Sequence, residues 1–163
     1  MSEQEKEYKW SPQNPSPSAI AKVKDPMPVP DFCIHCGSMV RLGSHEEIYD
    51  GRRFGIWPYV YLCEGAECGA YVGLHSFTNI PLGHLATEPQ RAARKSCKPA
   101  FEKLWKTGEA PLSRRAAYEW LAGALQIPIE NCHFAMFDVD RCELAKKLCK
   151  AKYRELCGSK EGR

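Results

Sequence analysis

Two cysteine pairs constrain this chain more than any other feature: Cys33-Ile-His-Cys36-Gly37 and Cys63-Glu-Gly-Ala-Glu-Cys68-Gly69. Four thiolates close a tetrahedral shell around zinc at about 2.3 Å per bond. Two or four residues within a pair let the backbone curl so that both sulfurs face one ion. The glycine after each pair suits a backbone that must take positive φ there. The sequence therefore predicts one structural zinc held by Cys33, Cys36, Cys63 and Cys68. His35, inside the first knuckle, is the alternative ligand. With four protein ligands the shell is closed, leaving no position for water or substrate.

Nine cysteines would otherwise suggest a secreted disulfide framework. The odd count, an N-terminus without the apolar core of a signal peptide, and the knuckle spacings favour a reducing cytoplasm with bound metal. Cys97, Cys142, Cys149 and Cys157 form no knuckle and are read as small core residues or free thiols. No apolar run reaches the length of a membrane span, so no membrane partner is expected.

The chain is organised in four stretches. Residues 1–30 hold six of the twelve prolines and few apolar residues, which marks a flexible leader. Trp10 within it is either part of a plain tether or an anchor for a partner. Residues 31–86 read as short antiparallel strands around the knuckles: Met39–Leu42, Glu46–Tyr49 before an Asp50-Gly51 turn, Tyr59–Leu62 after Pro58, and Tyr71–Leu74. Two knuckles joined by antiparallel hairpins are the plan of a zinc ribbon. So few apolar residues would not fold alone, and zinc supplies the folding energy.

Residues 87–158 change to a helical period. Thr87-Glu-Pro-Gln90 is a possible capping box, and Pro99 predicts a kink or break near Cys97-Lys98. Ser113 is a good cap for a second helix with Ala117, Tyr118, Leu121, Ala122 and Leu125 on one side. Asp140 with Glu143 opens a third, with Leu144, Leu148 and Tyr153 facing inward. Residues 159–163 are a tail. The expected fold is α+β, a ribbon packed with about three C-terminal helices.

Partners are harder to read. Residues 1–86 carry 7 Lys/Arg against 10 Asp/Glu, and residues 87–163 carry 16 against 10. A basic half is compatible with nucleic acid. Arg41, Arg52, Arg53, Trp57 and Tyr59 interleave charge and aromatic rings on the hairpin, the composition of a single-strand-binding face. The competing reading makes Trp57, Tyr59 and Tyr61 ordinary core. A second polar group, His75, Arg94, Cys97, His133 and Asp138, is either structural, with His133 buried and hydrogen-bonded, or a cleft for phosphate binding or acid–base work. His45-Glu46-Glu47 ahead of Cys63 and Cys68 superficially echoes a zinc nucleobase deaminase. That chemistry needs proline before the first cysteine and helical placement, and here Leu62 precedes Cys63 while Gly43-Ser44 discourages a helix.

Several segments carry a resemblance: Cys33-Ile-His-Cys36-Gly37, Tyr71-Val-Gly-Leu-His75, Pro81-Leu-Gly-His-Leu-Ala86, Arg91 with Arg94, Phe101 with Trp105, Ala117-Tyr-Glu-Trp-Leu121 and Cys132-His-Phe-Ala-Met-Phe-Asp138. In this order they resemble a small zinc-finger-containing family of unknown function found in bacteriophages and prophages. The resemblance covers about residues 31–150. It implies a zinc ribbon with a helical companion, encoded by a virus and acting in the bacterial cytoplasm. A histidine is usual in that pattern where this chain has Cys97, which argues against any mechanism needing histidine there. The expected function is a non-enzymatic zinc-ribbon protein binding nucleic acid, as a phage accessory factor. The alternative is a binder or inhibitor of a host transcription, replication or defence protein. A nuclease-like enzyme using His75 and His133 is the third reading.

Overall fold

The computed structural model describes residues 9–158, so the first eight residues of the leader and the expected tail at 159–163 lie outside the described residues. The chain divides at Thr87 and Glu88 into two units.

The first unit is built on three antiparallel strands in the order β1 (Val40–Ser44), β2 (Tyr59–Cys63), β3 (Tyr71–Gly73). The register pairs Val40 with Cys63, Leu42 with Tyr61, and Tyr61 with Val72. Leu42, Tyr61 and Val72 thus stack on one face, where they join Trp57, Leu74 and Leu85 in the ribbon core. β2 is the central strand, and Val60, Tyr61 and Leu62 are all buried. Pro58 stands immediately before it, where no ladder donor is required. The strand expected at Glu46–Tyr49 is instead a 3-10 turn, His45–Glu47. Its reason is polar: the Ser44 amide donates to the Glu47 carboxylate at 2.9 Å, and Arg41 pairs with the same side chain at 2.6 Å. These bonds turn the chain back where a strand would carry it away.

Beyond β3 the chain is fixed by buried hydrogen bonds. The Thr78 hydroxyl donates to the His75 carbonyl at 2.9 Å and accepts from the Ile80 amide at 3.0 Å. The Trp57 indole N–H donates to the Thr78 carbonyl at 3.1 Å. From Lys9 onward the leader also has structure. Ser16 caps a short helix, α1 (Pro17–Lys22), accepting from the Ala19 amide at 3.4 Å with proline at the first helical position. The Ser16 amide donates to the Phe77 carbonyl at 2.9 Å, and Trp10 packs on the ribbon core. The Ser16 hydrogen bond and the Trp10 ring help to hold a segment whose composition alone suggests a tether.

The second unit contains α2 (Glu88–Glu102), α3 (Arg114–Leu125) and α4 (Val139–Gly158), with 3-10 turns at Ile129–Asn131 and Phe134–Met136. Of the expected kink or break at Pro99, the break does not occur: α2 runs on through the proline. Its buried face continues on both sides of the proline, through Cys97, Ala100, Phe101 and then Leu104. Burying such side chains yields about 1.5–3 kcal/mol each, which offsets the roughly 3 kcal/mol cost of an internal proline. α3 begins at the expected cap, Ser113, whose hydroxyl accepts from the Ala116 amide at 3.1 Å. The cap of α4 lies two residues before the expected Asp140: the Asp138 carboxylate accepts from the Arg141 amide at 2.8 Å. Its inward face is Cys142, Ala145 and Cys149, whereas Leu144 and Tyr153, expected to face inward, are exposed. Burial favours the small side chains because α2 and α4 approach closely along that stripe. No helix among the described residues is long and apolar enough to cross a membrane.

Candidate metal centre

The four cysteines come together as their spacing requires. The hairpin register places Val40, just after the first knuckle, opposite Cys63, which opens the second. The Cys33 amide donates to the Ser38 carbonyl at 2.8 Å, and the Gly37 amide to the Cys33 carbonyl at 2.8 Å. This closes the first knuckle into a tight turn. Gly37 and Gly69 both take positive φ, 75° and 60°, the conformation for which glycine was expected.

All four sulfurs lie within 4.8 Å of one another. Cys33 Sγ is 3.7 Å from Cys68 Sγ, and Cys36 Sγ is 3.3 Å from Cys63 Sγ. A tetrahedral zinc with bonds of about 2.3 Å puts its sulfurs about 3.8 Å apart, so the donor set fits one zinc ion. The titration behaviour fits as well. Hydrogen bonds from the Ser38 side chain and backbone hold the Cys36 thiol down to about 6, while burial pushes Cys63 up to about 12. Four sulfurs this close cannot all ionise unaided. A divalent cation removes that conflict by stabilising every thiolate together.

His35 is not a fifth candidate. Its Nε2–H donates to the Leu85 carbonyl at 2.8 Å, tying the first knuckle to the segment beyond β3. Gly65 is a requirement that spacing did not reveal. A Cβ there would lie 3.0 Å from Cys36 Sγ, 3.0 Å from Ser38 Oγ and 3.3 Å from Cys63 Sγ. The second knuckle is wrapped that closely around the sulfurs.

The other candidate residues take different places. Arg41 is paired with Glu47 at 2.6 Å and Glu64 at 3.8 Å, and Arg53 with Glu46 at 2.7 Å. Arg52 is exposed, with its Nε–H donating to the Tyr49 carbonyl at 3.4 Å. Trp57 is only 7% exposed, wedged between Tyr59 and Phe77. Its ring belongs to the core, and a base has no access to its face. Phe54, beside Arg53 and more than half exposed, is the accessible ring of that loop.

Within the second unit, Arg94 donates from Nε to the Phe137 carbonyl at 2.9 Å, Asp138 caps α4, and Cys97 is a buried thiol pushed up to about 12 by burial. His133, expected to be buried, is exposed at the start of a 3-10 turn. Three of these four polar residues hold the helices in place. His75 belongs to the first unit, where it lines a groove with leader residues, and burial lowers its pKa.

Residues 29–152 match the model of a family described as a zinc-finger-containing domain. No curated protein and no solved structure matches the chain.

Proposed function

Because the chain belongs to that family of zinc-finger-containing domains, we propose that it is a non-enzymatic interaction module whose zinc knuckle docks on a protein partner. The supporting observation is the exposure of Phe32, Ile34 and Met39, at 63%, 65% and 62%. Phe32 and Met39 are bridge partners, and Ile34 sits in the turn between them. Apolar side chains exposed together in this way mark interaction sites. The stretch Phe32–Met39 carries no Lys, Arg, Asp or Glu. It offers a phosphate no charged side chain, and its partner is an apolar protein surface. Zinc would fix the turn before the encounter, which removes part of the ordering cost of binding.

The test is affinity capture from cells producing the protein, after nuclease treatment, with wild type and Ile34→Asp compared at equal zinc content. A partner held by wild type and lost from the variant supports the reading. Identical captures with both forms, or captures stripped by nuclease alone, overturn it.

A second reading, nucleic-acid binding, has lost part of its support on the hairpin, where Arg41 and Arg53 are ion-paired and Trp57 is buried. It draws support from another place, three lysines gathered beside Trp10. The setting that the resemblance implies, a phage-encoded factor in the bacterial cytoplasm, belongs to the same proposal.

A further inference from the structure

Between the leader and the loop after β3 lies an open groove of about 830 Å³, within the range of small-ligand sites. Its walls include Lys9, Trp10, Lys22, Lys24, His75 and Phe77. Among the described residues the lining contains three cations and no acid. Two aromatic side chains stand there, and Lys9 Nζ lies 4.8 Å from the centre of the Trp10 ring.

The groove is held rather than incidental. The Ser16 amide bonds the Phe77 carbonyl at 2.9 Å, joining the two walls. Phe77 itself sits at φ 62°, a left-handed conformation that a ring-bearing residue rarely adopts. The Thr78 hydrogen bonds to His75 and Ile80 maintain it, and the Phe77 ring packs 5.2 Å from Trp57. Backbone strain kept in place by its surroundings is characteristic of binding sites. His75 is partly buried, and burial lowers its pKa, so near neutral pH it presents a neutral ring. It is then a hydrogen-bonding and stacking surface instead of a fourth cation.

From this placement we infer that the groove binds a nucleotide unit, its base against Trp10 and its phosphate among Lys9, Lys22 and Lys24. The chemistry is that of a flat ring joined to an anion. Aromatic faces take bases whatever their identity, and ammonium groups take phosphates as point charges. A base within a duplex is stacked on both faces and cannot lie on Trp10. The source is therefore a free nucleotide or a single strand, and the inference stands apart from the protein-docking reading, since its residues lie away from Phe32–Met39 in the sequence.

The experiment uses the zinc-loaded full chain and three probes: a fluorescent oligothymidylate, AMP and inorganic phosphate. The oligonucleotide is expected to bind below about 100 µM at low salt, at or above common non-specific affinity. Lys22→Gln/Lys24→Gln, both exposed positions, should weaken it about tenfold or more and shallow the salt slope by about 1.4, at 0.7 per phosphate contact. Trp10→Leu should weaken it by a factor of roughly 5 to 150, matching one stacked base, without changing the slope. Competition by AMP at similar concentration assigns a mononucleotide, and competition only by longer strands assigns single-stranded nucleic acid. Either result supports the inference. Binding unchanged in the lysine variant, full competition by inorganic phosphate alone, or no binding of any probe overturns it. The lysine variant keeps the test decisive even if Trp10→Leu loosens the leader.

Discussion

In the ribbon, Cys36 is exposed and hydrogen bonds from Ser38 hold its thiol down to about 6; in the helical unit, Cys97 and Cys149 are sealed in the core and burial pushes them up to about 12. The same side chain thus serves two physical purposes. Around the knuckles, Ser38 favours the Cys36 thiolate while burial raises Cys63, and a shared cation is what lets the clustered sulfurs ionise together. Along α2 and α4, sulfur is surrounded by Ala93, Phe101, Leu104 and Phe137, where a thiol behaves as a small hydrophobe. The two cores differ accordingly. The helical unit buries four cysteines with three phenylalanines, while the ribbon buries fewer apolar groups and relies on polar ties such as His35 to Leu85. What distinguishes a ligand cysteine from a packing cysteine is its place in the four-sulfur cluster, and only the knuckle spacing makes that visible in a sequence.

The strongest way to break this comparison is to remove the metal. Structural zinc sites contribute apparent free energies of roughly 10–16 kcal/mol, more than a small ribbon core can replace. Cys33→Ser/Cys63→Ser should therefore lose zinc on metal analysis and lose amide-exchange protection across β1–β3. Amides of α2 and α4 should keep theirs, because their core contains no metal ligand. Full zinc content in the variant would end the assignment.

Next in size is the converse. Phe137 is completely buried, and Phe137→Ala should cost the helical unit about 3–5 kcal/mol in denaturant unfolding. Zinc content should remain at one per chain. A variant that loses zinc along with its helices would erase the distinction between the two regions.

A pH series sharpens it further. Cys97 and Cys149 keep their protons in the folded state up to about 12, whereas thiols of the unfolded chain begin to ionise near about 8.5. The folded state then binds more protons. Its advantage is fully present below the unfolded value and is lost as pH rises towards the folded one. The melting temperature of the helical unit should fall between about pH 8.5 and 12, and Cys97→Ala/Cys149→Ala should flatten that fall. An unchanged slope would show that burial does not set these thiols apart.

The smallest effect tests a local feature. Ser113→Ala removes the cap of α3 and should cost about 1 kcal/mol, with no effect on the ribbon. A change in ribbon amide protection would contradict the separation.

Features that depend on near neighbours were legible in the sequence. The knuckles, the positive φ of Gly37 and Gly69, the strand after Pro58 and the Ser113 cap each involve residues within a few positions. Features decided by distant packing were not. Pro99 lies in an unbroken helix because Phe101 and Leu104 are buried beyond it. Of Leu144, Leu148 and Tyr153, expected on the inward face of α4, Leu144 and Tyr153 are exposed and Leu148 is half-buried, while Cys142, Ala145 and Cys149 are buried. Trp57 reads equally well as a stacking surface or as core, and its burial between Tyr59 and Phe77 decides. The groove was invisible for the same reason: Lys9, Lys22 and Lys24 are far in sequence from His75 and Phe77, and no periodicity connects them.

The hydrogen bond between Ser16 and Phe77 has a consequence for how such a domain is inherited or transplanted. The family match begins at residue 29, but this bond reaches back to residue 16. A graft cut at the matched boundary would carry the complete metal centre into a new protein and leave Trp10 and all three groove lysines behind. Recombination at that point would exchange one wall of the groove while the zinc scaffold passed on intact. Replacing residues 1–28 would then change the lining of the groove, with no substitution in the ribbon itself.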